Sequence, residues 1–139
     1  MRYKSHPITA PIQLANIKHS FKIIKGTIKM GTMYVTLELQ PTSFSVKYKV
    51  SIKYNIGHSP IVKVVAPTLI IPENKMIIHM YSDSSLCLYY PKNKEWNNNM
   101  LIARTTIPWT VEWLYYYENW VITGEWLGEG VHPTIDKQL

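Results

Sequence analysis

The chain has 139 residues. That length fits a single domain over residues 1–139 and argues against a two-domain enzyme, because chains of roughly 100 to 200 residues usually build one core. Hydrophobic residues make up 46% and charged residues 17%, enough apolar side chains to offset the entropy of ordering, so a disordered segment is excluded. The net charge of +6 is held unevenly: residues 1–69 carry ten Lys or Arg against one acid, Glu38, and residues 70–139 carry five against eight acids.

The first twenty residues, MRYKSHPITAPIQLANIKHS, contain basic residues but no apolar core of a secretory signal, so a cytoplasmic protein is expected. The longest run without formal charge, Ser5 to Ile17, is broken by Pro7 and Pro11 and is too short to span a bilayer. Four β-rich segments follow: Phe21 to Lys29, Met33 to Leu39, Val46 to Tyr54, and Ile61 to Val65. Each is rich in β-branched and aromatic residues, with the turn formers Gly26, Gly31, Pro41 and Gly57 as boundaries. The short links between them predict an antiparallel four-stranded meander. Within the third segment Lys47, Lys49 and Lys53 alternate with Val46, Tyr48, Val50, Ile52 and Tyr54, the period-2 pattern of a strand with one wet and one buried face. Residues 66 to 99 lose periodicity and hold Pro67, Pro72, Pro91 and Asn97 to Asn99, a long loop of the kind that often carries function. From Pro108, Trp109, Trp113, Tyr117 and Trp120 recur every three or four residues, with Leu114 and Val121 widening the stripe and Gly124 as a stop. This predicts an amphipathic helix covering the sheet, and an α+β fold overall.

One cysteine, Cys87, excludes an internal disulfide and the cysteine-rich zinc sites. The five histidines are scattered, so no metal is expected. Cys87 lies in the long loop, between Leu86 and Leu88, with His79 eight residues upstream and a polar turn, Ser82 to Ser85, between them. Two readings stand side by side: a small buried hydrophobe, or a nucleophile whose thiolate a neighbouring donor or cation stabilises. The basic first half likewise reads either as a solvated sheet face or as a docking surface, nucleic acid included.

The succession of basic meander, Ser59-Pro60 followed by IVKVV, His79, a polar turn, Leu-Cys-Leu and a later helix resembles the ubiquitin-conjugating enzyme core. In that family a His-Pro-Asn tripeptide precedes the catalytic cysteine; here Met80 and Tyr81 stand where the Pro and Asn would be. That family's N-terminal helix has little support in the first twenty residues. A closer resemblance is carried by HMYSDSSLCLYYP, then EW, then IPWTVEWLYYYENWVITGEW with His132-Pro133. These strings, across about residues 75 to 133, resemble the ubiquitin-conjugating-like proteins of bacterial type II (short) CBASS antiphage systems, in the stand-alone form without an adenylating domain.

The resemblance implies a ubiquitin-conjugating-like fold with a long active-site loop and a transferase that needs no cofactor. Cys87 would take, as a thioester, the C-terminus of a cyclic-dinucleotide synthase, a cGAS-like nucleotidyltransferase, and pass it to a protein acceptor, priming antiviral signalling. His79 would brace the loop or move a proton. Tyr81, a backbone N–H beside Cys87, or one of Asn97 to Asn99 would replace the missing asparagine as oxyanion donor. Asp83 would orient or deprotonate an amine, or simply bond its own turn. Trp96, Trp109 and Trp126 are candidates for lining a groove for the partner's tail, with His132 near it. Three alternatives remain open: a non-catalytic module that only binds a tail, a cysteine hydrolase pairing Cys87 with His132 or His79, and a basic nucleic-acid-binding module.

Overall fold

A computed structural model of the chain describes residues 6–71, 79–88 and 96–126. Four strands form one antiparallel sheet in sequence order: β1 (Ile23–Lys29), β2 (Thr32–Leu39), β3 (Tyr48–Asn55) and β4 (Ile61–Ala66). The meander and the four strand segments are as the sequence pattern predicts, with ends shifted by one or two residues. Alternation sorts the faces. Met33, Val35, Leu37 and Leu39 of β2 and Tyr48, Val50, Ile52 and Tyr54 of β3 are buried, while Lys49 and Lys53 are exposed.

The β1–β2 turn is made by Met30 (φ 50°) and Gly31 (φ 81°) between the paired residues Lys29 and Thr32. Two successive positive φ values match the right-handed twist of the flanking strands in a two-residue hairpin. Gly26, by contrast, lies inside β1 and bounds nothing. A Cβ there would stand 2.9 Å from a terminal methyl of Leu14, so the glycine marks where a helix presses on the strand.

That helix, α1 (Ala10–Ser20), corrects the expectation for the N-terminus. Pro11 sits in its opening turn, where a missing N–H costs nothing, and Lys18 and His19 sit in its last turn, where cations suit the helix dipole. Its buried stripe is Ala10, Gln13, Leu14 and Ile17. Gln13 is fully buried. Its amide donates to Met100 O at 2.8 Å and accepts from Ile102 N–H at 2.9 Å. A polar residue in the middle of the stripe hides the helical period from a hydrophobicity reading.

After a 3₁₀ turn, Ile102–Arg104, the second helix α2 runs Thr106–Thr123 and ends at Gly124, whose φ of 81° and N–H bond to Trp120 O form a left-handed cap. Trp113, Leu114, Tyr117 and Trp120 are buried in the same core cluster as the inward residues of the sheet. Tyr117 meets Tyr48 of β3 edge to face at 6.4 Å and accepts a hydrogen bond from Ile70 N–H. Where the two layers meet, Glu118 accepts hydrogen bonds from Ser45 Oγ and Tyr48 Oη. Burial, and then that bond to Glu118, hold the Tyr48 phenol above its ordinary range. Among the described residues, no helix is long and apolar enough to cross a membrane.

Candidate active site around Cys87

Residues 79–88 form a small hairpin tied to both layers. Met80 and Leu86 pair antiparallel; Tyr81 N–H donates to Ser85 O at 2.8 Å, and Ser84 N–H to Tyr81 O at 2.9 Å. On the sheet side, Leu86 N–H donates to Val62 O of β4 at 2.8 Å. On the helix side, the carbonyl of His79 accepts two bonds, from Cys87 N–H at 2.8 Å and from Trp113 Nε1–H of α2 at 3.0 Å. Buried Leu86 and Leu88 flank Cys87 and anchor the segment that carries it, while Cys87 itself is half-buried.

Two non-glycine residues in this hairpin take positive φ, His79 (59°) and Ser84 (71°). Each costs about 1 kcal/mol or more and persists only where surrounding contacts fix it. Those contacts are visible. His79 is 4% exposed and its ring lies 5.2 Å from the Trp126 ring, and the Ser84 turn is closed by Asp83, whose carboxylate accepts from Ser85 N–H at 2.9 Å and from Ser85 Oγ. The side-chain bond from Ser85, then its backbone bond, lower the Asp83 pKa below the usual carboxylate value.

The three candidate oxyanion donors stand in different hydrogen-bond settings. The N–H groups of Leu86 and Cys87 are already given to Val62 O and His79 O. Asn97 Oδ1 accepts from Asn99 N–H at 2.9 Å, and Asn98 O accepts from Ile8 N–H at 2.8 Å. The asparagine run thus folds into a turn and braces the lead-in to α1. Tyr81, half exposed, lies beside the thiol. Burial first, then the side-chain hydrogen bond to Cys87 and the charges of Cys87 and Asp83, push its hydroxyl up to about 12. In front of it opens a cleft of about 450 Å³ between the β3–β4 turn (Ser59, Pro60) and the hairpin (Ser82, Asp83, Leu86).

The tryptophans fall in separate places. Trp126 packs on His79 and, at 5.4 Å, on Trp113 beside the hairpin. Trp96 meets Tyr54 edge to face at 6.0 Å on the sheet. Trp109 is half-buried against the core in the first turns of α2. His132 lies outside the described residues. The role of Trp113 as a donor to the site was not readable in the sequence, where it stood only as one member of an apolar stripe. Among the described residues, no group of three or more His, Cys, Asp or Glu side chains is placed to hold a metal ion.

No curated protein matches the chain. The family model described as "Type II CBASS E2 protein" matches residues 13–133, from the buried glutamine of α1 through the sheet, the cysteine hairpin and α2. A match over most of the chain, with a four-stranded antiparallel meander, a cysteine hairpin and a covering C-terminal helix behind it, assigns this protein to the type II CBASS E2 family.

Proposed function

We propose that this protein is a ubiquitin-conjugating-like transferase that carries an acyl group as a thioester on Cys87. The acyl donor is the C-terminus of a cGAS-like cyclic-dinucleotide synthase, and the acceptor is an amine on a protein, the transfer priming antiviral signalling. The observation that carries the reading is the setting of the one cysteine: half-buried, fixed through its own N–H to His79 O, with the Tyr81 hydroxyl against its side chain.

In the first step the Cys87 thiolate attacks the activated C-terminal carbonyl, a C–S bond forms and the activating group leaves with its electron pair. In the second an amine attacks the thioester carbonyl, the C–S bond breaks and Cys87 leaves as thiolate, while the amine proton passes to water or a nearby base. Both steps pass through a tetrahedral oxyanion beside Sγ, and Tyr81 is the donor assigned to it. His79 acts as the brace, through the carbonyl that fixes Cys87 and Trp113. Asp83 orients an incoming amine by charge rather than taking its proton, since a carboxylate held below its usual pKa is a weak base. Trp126, adjoining His79, is the tryptophan best placed to border the partner's tail.

The test is intact mass after co-expression with the synthase and activating enzyme of a type II CBASS operon, under non-reducing conditions. The expected result is a thiol-labile adduct on the wild type, a more stable oxyester on Cys87→Ser, and no adduct on Cys87→Ala. Absence of any adduct, with a thiol that also resists alkylation, sinks the carrier reading and leaves a module that only binds the tail.

A further inference from the structure

We propose that the solvent face of the sheet is a docking surface for an acidic, extended polypeptide segment of the conjugation partner. Strand register builds this face. Lys25, Thr36, Ser51 and Lys63 stand opposite one another across all four strands, and the next row is Thr27, Tyr34, Lys53 and Ile61. Lys29 follows two residues further along β1. All four lysines are exposed, and they line a single groove of about 690 Å³ in which, among the described residues, Asp83 at the rim is the one acid. Elsewhere on the sheet a lysine is matched, since Glu38 of β2 stands opposite Lys49 of β3. The four groove lysines have no such cross-strand acid: their register partners are Thr36, Thr32, Tyr34, Ile61 and Ser51, and only Lys63 feels an acid, Asp83 at the rim.

The lining favours carboxylates on a polypeptide over a nucleic acid. Sequence-independent binding of single strands joins a basic groove to exposed aromatic platforms. Here the one aromatic ring among the described residues of the groove, Tyr34, is already covered by Lys53 Nζ at 5.9 Å from its centroid. Among the described residues that line the groove there is no arginine to fork onto phosphate. Between the lysines stand hydroxyls, Thr27, Thr36 and Ser51, suited to carboxylate or peptide oxygens. Four strands at about 4.8 Å spacing make the face roughly 14 Å wide, the span of four or five extended residues.

Its position names the partner. Ile61 and Asp83 line both this groove and the smaller cleft that opens in front of Tyr81, next to Cys87. A chain that presents its C-terminus to Cys87 therefore continues upstream along the lysines, with its acids a few residues before the reacting end. The assignment to the conjugation partner rests on the carrier reading; the binding chemistry does not.

The test is fluorescence anisotropy of a labelled hexaglutamate peptide with the full-length protein at low salt. Lys25→Glu/Lys63→Glu is expected to weaken binding about tenfold or more, and a charge-matched pair off the face, Lys18→Glu/Lys22→Glu, less than about twofold. Lys25→Gln/Lys63→Gln, the milder pair, is expected to fall between, and melting curves establish that each variant is folded. Hexaglutamine is expected not to bind, and a six-nucleotide single strand to bind at least about tenfold more weakly. Equal losses from the two lysine pairs, or an oligonucleotide bound as tightly as the peptide, overturn the proposal. Lysine-dependent peptide binding without any Cys87 adduct in the mass experiment refutes the carrier reading and leaves the docking surface standing.

Discussion

At the residue scale, the feature that most distinguishes the site is the tyrosine beside the thiol. Tyr81 is half exposed, so removing its hydroxyl opens no cavity, and Tyr81→Phe is expected to shift the melting temperature by no more than about 2 °C. Acyl transfer should suffer far more. Loss of one donor aimed at an oxyanion costs on the order of 10²-fold, and single-turnover transfer from preformed Cys87 thioester to an amine measures it directly. The raised Tyr81 pKa adds a pH signature. An ordinary phenol begins to lose its donor proton near pH 10; in the thioester the Cys87 charge is gone, but burial, the largest cause of the raised Tyr81 pKa, still delays that loss. The wild-type advantage over Tyr81→Phe should therefore persist through pH 10. An advantage that fades between pH 9 and 10 shows that the hydroxyl titrates normally and is not held by its neighbours. The same raised pKa places its stabilising contribution below the unfolded value of 10, and the contribution is lost as pH rises through about 12.

At the scale of the element, α1 depends on one polar side chain. Gln13→Leu keeps the volume but leaves the Met100 carbonyl and the Ile102 N–H without their partners. Each buried polar group so orphaned costs about 1–3 kcal/mol, so a loss of roughly 2–5 kcal/mol and a fall in melting temperature of ten degrees or so are expected. A loss under about 1 kcal/mol in a denaturant titration means that water replaces the amide and that α1 is held by Leu14 and Ile17 alone. The same glutamine explains where sequence reading failed. Strand periodicity was legible because every inward position of β2 and β3 is apolar and every outward lysine is wet. The stripe of α2 was legible for the same reason. In α1 the position between Ala10 and Leu14 is a glutamine, and what it binds is a turn nearly ninety residues away. Gly26 misled in the opposite sense: a glycine chosen for close approach by Leu14 looks, in sequence, like a turn. At the cysteine, the residues could nominate Cys87 and His79, and the family resemblance Tyr81, but the contact between Tyr81 and Cys87 is set by a hairpin that pairs Met80 with Leu86. No linear spacing encodes that fold-back.

Across the whole molecule, the sheet and α2 meet at the hairpin, and Cys87 takes its place from both. Val62 O of β4 holds Leu86, one residue before the cysteine, while Trp113 Nε1 of α2 holds the His79 carbonyl that also accepts from Cys87 N–H. Any shift of helix against sheet is thereby felt at the thiol. Trp113→Phe tests this coupling, because it keeps an aromatic ring to stack on Tyr117, now 5.7 Å away and nearly parallel, but removes the N–H. Losing one buried hydrogen bond together with part of the ring is expected to cost about 1–3 kcal/mol. With only one donor left to fix it, the His79 carbonyl should release the hairpin locally before the domain unfolds, in the manner of other low-stability segments. Alkylation of Cys87 by iodoacetamide, measured well below the melting transition, is then expected to accelerate several-fold, while exchange of the β2 and β3 amides follows only the global loss. If alkylation is unchanged while the melting temperature falls, the hairpin is held by β4 alone. If alkylation and core exchange rise by the same factor, the site opens only when the whole domain does, and the coupling is global.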